Sequence, residues 1–362
     1  MAEQPKYLQV AEILRREIAA GVFQDGQTLM TEEELRLRFN VSRQTVRQAI
    51  SLLEDDGLVD RRRGSGTYVR HGPRKRQGVV RVGVVTTYIT DYIFPNIVSG
   101  IESALNGYGA VMSLSATYND QARERSILQQ MISGQVDGVI VEGVRAAEST
   151  PNADLYMRLA ERNIPVLFMN SYYPELNHIP YVVMDDYGGG QIAAREMIAR
   201  GYRRPAGMFK TDDLTGRERA RGFLDELKSH GADVPPERLL YFGTEQRMTL
   251  YGDPEGLAFM NMLAAGKADC VICYNDVFAG VLMQHLRERG MSLPGDLGVM
   301  GFDDANLMME IKPALTTLAH PKEAFGTMVA EKMMRMIAGE KESSVRVPWK
   351  LVERESLPEK KG

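Results

Sequence analysis

From Val79 onward the chain alternates short apolar runs with helical patterns, and this alternation constrains its fold more than any other feature. Residues 79–87 (VVRVGVVTT), 111–117 (VMSLSAT), 136–143 (VDGVIVEG), 164–170 (IPVLFMN), 181–186 (YVVMDD), 205–211 (PAGMFKT), 269–276 (DCVICYND) and 297–304 (LGVMGFDD) read as buried strands. Helices are expected between them, at 96–105, 121–133, 191–200, 217–230 and 277–289. Parallel strands need helical crossovers, so the repeat predicts an α/β fold with a doubly wound parallel sheet. The number of strands points to two such subdomains. Ligands of these folds sit outside the carboxyl ends of the strands.

Several strand ends carry groups suited to a small polar ligand: Tyr88 with Asp91, Tyr92 and Phe94 in the following loop, Glu142, Asn170 with Tyr172, Asn275, and Asp303. Carboxylates and amides can bind adjacent hydroxyls, and aromatic faces can cover the C–H face of a sugar ring. Such a lining fits a polyol better than a phosphate. Asp186, Asp276 and Asp304 are expected to cap the helices that come after their strands.

The first seventy residues have a different pattern. Tyr7, Val10, Ala11, Leu14 and Ile18 mark an amphipathic helix ending at Gly21. Thr31 with Glu34 forms a capping-box sequence for a second helix, in which Leu35 and Phe39 face inward. Ser42 is placed to cap a third, whose buried stripe is Val46, Ala49, Ile50 and Leu53 and whose outer face carries Arg43, Gln44, Arg47 and Gln48. Gly57 closes it, and a hairpin runs from Leu58 to Arg63, through Gly64, Ser65 and Gly66, to residues 67–69. A tight helix pair succeeded by a basic hairpin describes a small winged helix-turn-helix domain. Its third helix would enter a major groove, and Arg and Gln are side chains able to read guanine and adenine edges. Residues 1–76 hold 14 Lys+Arg against 11 Asp+Glu while the remainder holds 30 against 37, so only the front has the balance of a phosphate-contacting module. Residues 71–79 combine charge with Gly and Pro and read as a linker, giving domains at 1–70 and 80–358.

The motifs T-E-x-E-L, V-S-R-x-T-V-R-x-A-I, L-x-x-x-G-L and G-x-G-T-Y-V resemble the GntR family of bacterial transcription regulators across residues 5–70. That resemblance implies DNA-facing roles for Lys6, Glu32, Arg43, Thr45, Arg47, Arg63, Gly64, Ser65 and Gly66, with Ser42 and Gln44 beside them. Met30 departs from the family, which usually has Pro there, and a differently shaped entry to the second helix is expected. Over residues 80–357, VDGVIVEG, IPVLFMN, RERARGF, CYNDVFAGVLMQHLRERG, DLGVMGFDD and LTTLAHP resemble the LacI/GalR effector domain and its periplasmic sugar-binding relatives. It implies a periplasmic-binding-protein-like domain with ligand-facing Glu142, Asn170, Arg219, Asn275, Asp303 and His320. With a GntR-type front, the stretch TTYITDYIFPNIVSGIES is similar to the arabinose-responsive repressors of bacilli. The resemblance implies a homodimer that binds double-stranded operator DNA and is released by a small-molecule sugar effector, L-arabinose. Ribose, xylose, galactose or a nucleobase is the alternative effector.

Other classes find less support. Cys270-x-x-Cys273 lacks the further ligands a zinc site needs, and no metal or cofactor is expected. Gly188-Gly189-Gly190 matches neither phosphate-loop pattern and reads as a tight helix entry. No histidine stands in a nucleophile motif, so an enzyme is not expected. A transport protein would need an export signal, which the start MAEQPKYLQVAEIL does not resemble, and a cytoplasmic location is expected. No apolar run approaches the roughly 20 residues that cross a bilayer, so no membrane partner is expected.

Overall fold

The computed structural model describes residues 5–55, 57–62, 65–69, 79–91, 93–134, 136–305 and 311–360. The chain divides into two compact units, the first built on residues up to Val79 and the second on most of the chain from Val80 to its end. The expected linker lies almost wholly outside the described residues.

In the first unit, α1 (Lys6–Ala19), α2 (Glu32–Phe39) and α3 (Arg43–Asp55) precede an antiparallel pair, β1 (Val59–Arg62) and β2 (Gly66–Val69). The apolar stripe of α3 packs with Val10, Leu14 and Ile18 of α1, Leu35 of α2, and Val59 and Val69 of the hairpin. Each such side chain contributes about 1.5–3 kcal/mol when fully buried. The capping box at the head of α2 forms as expected, with the Glu34 backbone N–H donating to Thr31 Oγ1 at 3.2 Å and the Thr31 N–H to Glu34 at 2.7 Å. Met30 therefore leaves the helix entry intact. Leu29 just before it donates to the Thr67 carbonyl at 2.7 Å, and this contact fixes the approach instead of a proline ring. Asn40 ends α2 in the left-handed conformation, and Ser42 Oγ accepts from the Thr45 backbone N–H, capping α3.

The second unit holds two six-stranded sheets. The first comprises β3 (Arg81–Thr86), β4 (Val111–Ala116), β5 (Gly138–Val141), β6 (Val166–Met169), β7 (Tyr181–Met184) and β13 (Val345–Val347), in the order β13-β7-β6-β5-β3-β4. Helices α4 (Phe94–Gly107), α5 (Gln121–Ser133) and α6 (Ala153–Glu161) supply its crossovers. The second comprises β8 (Pro205–Lys210), β9 (Leu239–Phe242), β10 (Cys270–Cys273), β11 (Gly298–Asp303), β12 (Thr316–Ala319) and β14 (Lys350–Val352), in the order β14-β12-β11-β10-β8-β9. Every pairing is parallel except β12 with β14. All eight expected strands are present; β9, β12, β13 and β14 are additional. In each sheet the strand order reverses once, between β3 and β5 and between β8 and β10, and the crevices that result hold the site.

Among the described residues the chain passes between the two lobes three times: after β7 at Asp185, between β12 and the helix Lys322–Ile337 at His320, and between β13 and β14 at Trp349. The Asp185 N–H donates to the Val347 carbonyl at 2.8 Å, tying two of these passages together. In the second lobe α7 (Asp186–Ala199) and α8 (Leu214–Ser229) pack backbone to backbone. A Cβ on Gly190 would lie 2.2 Å from the Arg219 carbonyl oxygen, and one on Gly222 2.0 Å from that of Tyr187. The glycine triplet is thus only partly a helix entry. Gly188 sits over the Asp185 cap, while Gly189 meets Trp349 and Gly190 admits the neighbouring helix. This contact places Arg219 beside Asp186.

Candidate functional site

Between the lobes, strand ends enclose a cleft of about 830 Å3, its open mouth included. The first lobe contributes Thr87, Tyr88, Phe94, Asn119, Glu142 and Asn170. From the second come Asp186, Lys210, Asp213, Arg219, Arg247, Tyr274, Asn275, Asp303 and His320.

Arg219 organises the second-lobe wall. Its Nε donates to Asp186 Oδ1 at 2.9 Å, one Nη to the Tyr274 carbonyl at 2.6 Å, and the other lies 3.5 Å from Asp303 Oδ1. The guanidinium stacks over Phe302 at 4.2 Å and Trp349 at 4.9 Å from the ring centroids. All three charged groups are buried. One cation against two carboxylates leaves an excess negative charge in a dry wall, and burial pushes Asp186 up to about 7, against the pull of Arg219. The stability that this group contributes is complete below its unfolded value near 4 and is lost as pH rises through about 7. The melting temperature of the parent, measured against Asp186→Asn, should therefore fall between about pH 4 and 7. A gap between them that does not change with pH rejects the assignment.

His320 is buried against Phe325 and Trp349, with ring centroids 4.8 and 5.9 Å away. Burial holds its pKa down at about 3, so the ring is neutral and offers one donor and one acceptor. Among the described residues neither ring nitrogen has a hydrogen-bond partner. A buried imidazole without partners is costly unless a ligand or water completes it. Further along the wall, Lys210 at the end of β8 bonds Asp213 at 3.0 Å, and the Tyr274 hydroxyl donates to the same carboxylate at 2.8 Å. On the first-lobe wall, Glu142 accepts from the Thr87 N–H and hydroxyl, each at 2.6 Å, and from the Thr86 hydroxyl at 3.1 Å. Burial raises the Glu142 carboxyl, partly offset by these donors. Asn170 and Asp303 hold left-handed backbone at φ 57° and 97°, a strain that packed surroundings must enforce.

The cleft thus brings together Tyr88, Phe94, Glu142, Asn170, Arg219, Asn275, Asp303 and His320. Asp91 stands outside the lining and pairs with Arg247. Tyr172 turns away, stacked on Tyr181 at 4.1 Å and accepting from Arg346 at 2.9 Å. Tyr92 lies outside the described residues. The capping expectation is displaced by one residue at two strand ends. Asp185 caps α7, freeing Asp186 for Arg219, and Asn275 caps the helix Asp276–Glu288 by accepting from the Phe278 N–H at 3.1 Å while also lining the cleft. Asp276 braces Thr317 and the Ala305 N–H, and Asp304 pairs with Arg354. Lys210, Asp213 and Arg247 were not among the expected ligand residues. A lysine closing a buried strand was a legible signal for the first. Arg247 sits in a short 3-10 turn with no periodicity to read. Cys270 and Cys273 are buried thiols whose pKa burial pushes up, which makes them unreactive.

In the first unit, Arg43 and Arg47 project from α3 and share one carboxylate, Glu32 of α2, at 3.1 and 3.0 Å. Arg61 of β1 lies 4.0 Å from the same group. Glu32 thereby pre-orients two guanidinium groups on one exposed face, and the arginines hold its carboxyl below the usual range despite partial burial. Gln44 is exposed beside them, Thr45 is half-buried, and Ser42 bonds the Thr45 hydroxyl at 2.8 Å. Lys6 opens α1 and is exposed. Ser65 bonds the Tyr68 hydroxyl at 2.7 Å and Gly66 begins β2, both at the tip of the wing; Arg63 and Gly64 lie outside the described residues.

Residues 6–69 match the model of bacterial regulatory proteins of the gntR family, and residues 194–357 that of the periplasmic binding protein-like domain. Over 336 residues the chain is 38% identical to an arabinose metabolism transcriptional repressor of Geobacillus stearothermophilus, covering 92% of this chain and 91% of that one. The chain belongs to this family of transcription repressors. A second relative of the same description, from Halalkalibacterium halodurans, is 31% identical over 99% of this chain and 98% of its own. Among solved structures, a periplasmic binding protein/LacI transcriptional regulator from Alkaliphilus metalliredigens superposes with a TM-score of 0.65 at 24% identity, over 76% of this chain and 98% of that one. The repressor therefore couples a GntR-type winged helix to a LacI-type effector fold, and it is a DNA-binding regulator rather than an enzyme. Among the described residues no helix is long and apolar enough to cross a membrane, and no cluster of three or more His, Cys, Asp or Glu could hold a metal ion.

Proposed function

We propose that the repressor holds operator DNA as a cytoplasmic homodimer and is released when L-arabinose occupies the cleft. In this reading residues 1–70 contact DNA, 71–79 link, and 80–358 bind effector and dimerise. Lys6, Glu32, Ser42, Arg43, Gln44, Thr45, Arg47, Arg63, Gly64, Ser65 and Gly66 face the duplex. The observation that carries the effector class is the neutral His320 ring, without a hydrogen-bond partner among the described residues, in a wall whose cations are already matched by carboxylates. Such a wall offers paired donors and acceptors without a surplus positive charge, which suits an uncharged polyol and disfavours a sugar phosphate. Full-length kinship to arabinose metabolism repressors supports the pentose.

Calorimetry against L-arabinose, ribose, xylose, galactose and purines, with and without operator duplex, tests both parts. L-arabinose should bind, and saturating operator should weaken it by about 5- to 150-fold, the range of couplings of about 1–3 kcal/mol. Equal affinity in the presence and absence of operator rejects the coupling. Preference for another sugar of the panel replaces the effector.

A further inference from the structure

The cleft is bordered by a short turn whose contacts the sequence did not announce. Residues 245–248 of the second lobe form a 3-10 turn between β9 and the helix Pro254–Ala264. The turn has little apolar anchorage, because Met248 is 88% exposed and Glu245 is exposed as well. Its base is tied to its own lobe by the Thr244 N–H donating to Asp212 at 2.8 Å and the Gly243 N–H donating to Gln246 at 2.9 Å.

Among the described residues, three hydrogen-bonded or ionic side-chain contacts reach across to the first lobe. Asn119 Nδ2 donates to Thr244 Oγ1 at 2.6 Å, Arg145 pairs with Glu245, and Arg247 pairs with Asp91. The Arg247 guanidinium also lies over the Tyr88 ring, 4.4 Å from its centroid, and lines the cleft itself. On the receiving side the backbone is strained: Tyr118, Asn119 and Arg145 are left-handed at φ 52°, 59° and 44°. Asn119 Oδ1 in turn accepts from the Arg145 N–H at 3.0 Å, so the two receiving residues hold each other in place. Strained non-glycine residues persist where surrounding contacts enforce them, and they cluster at ligand clamps.

We infer that Arg247 is a ligand-retaining residue, acting with Asp91 and Tyr88 as a latch that joins the two lobes over the mouth of the effector cleft. A bound polyol cannot leave while the latch is shut, so breaking it raises the dissociation rate more than it changes association. Affinity differences among variants of one site reside mainly in that rate. The inference rests on the reading of the cleft as an effector site.

The test uses the full chain. The single tryptophan, Trp349, lies beside the cleft and reports ligand by stopped-flow fluorescence. Arg247→Ala and Asp91→Ala should each accelerate L-arabinose release by about tenfold, with association altered by less than about threefold. The double variant should be no faster than either single one, because the two groups act as a unit. Arg247→Lys, which keeps the charge and loses the planar guanidinium over Tyr88, should fall between. A second readout needs no ligand: amide hydrogen exchange across residues 244–249 should quicken in Arg247→Ala and Asp91→Ala alike. Unchanged exchange overturns the latch whatever the cleft binds. Quickened exchange with an unchanged release rate, or additive effects in the double variant, also overturns it. Failure of the parent chain to bind L-arabinose sinks the effector reading alone, since the exchange comparison still decides whether Arg247 and Asp91 hold the turn.

Discussion

Arg219→Ala should abolish effector binding and lower the melting temperature of the effector unit by at least about 6 °C. Truncation leaves Asp186 and Asp303 buried around a vacated site, and breaking a buried pair from one side costs about 3–5 kcal/mol. For a domain of this size each kcal/mol corresponds to roughly 2–4 °C. The aromatic bed formed by Phe302 and Trp349 loses its stacked cation as well. Thermal melting and calorimetry check both parts. In an Asp186→Asn, Asp303→Asn background the same truncation should cost less than half as much, because no uncompensated charge remains. A full cost in that background would show that Arg219 acts through packing rather than charge.

Arg47→Ala should weaken operator binding by about 5- to 150-fold for each half-site, the loss of one bidentate base contact worth about 1–3 kcal/mol. Sugar affinity and melting temperature should stay close to the parent, since the Arg47–Glu32 pair is exposed and exposed pairs contribute about 0–1 kcal/mol. Fluorescence anisotropy with specific and scrambled duplexes separates the contributions: base reading predicts a larger loss on the operator than on scrambled DNA. An equal loss on both would place Arg47 on phosphate instead.

Much of the fold was legible because local signals agreed with one another. The capping box at Thr31 and the stripe from Val46 to Leu53 each specify a helix and its buried face without help from distant residues. The eight apolar runs were equally plain, since buried parallel strands are continuously apolar. The short edge strands β13 and β14 were not. Each is three residues long and only partly buried, and their place is set by pairing with β7 and β12 rather than by their own composition.

The site divides in the same way. Glu142, Asn170 and Asp303 could be found because they stand at the carboxyl ends of obvious strands. The exchange of roles between Asp185 and Asp186 could not be read, because both are acidic and adjacent. The close approach of α7 and α8 at Gly190 and Gly222 decides which one meets Arg219. Tyr172 was misplaced for a related reason: the residues after a strand alternate in direction, and stacking on Tyr181 turns this one outward.

The three passages of the chain between the lobes bear on how such a regulator can change its preferences. Asp186 and His320, which line the cleft, sit at or next to these passages together with Trp349, so in the proposed reading the groups that would meet a ligand there also form the pivot between the lobes. Replacing them to welcome a different sugar would also alter how readily the molecule bends, and the strength of the genetic response would shift along with the choice of inducer. Glu142, Asn170 and Lys210 lie away from the pivot, and descendants that keep a full response while accepting a new inducer should carry their changes there.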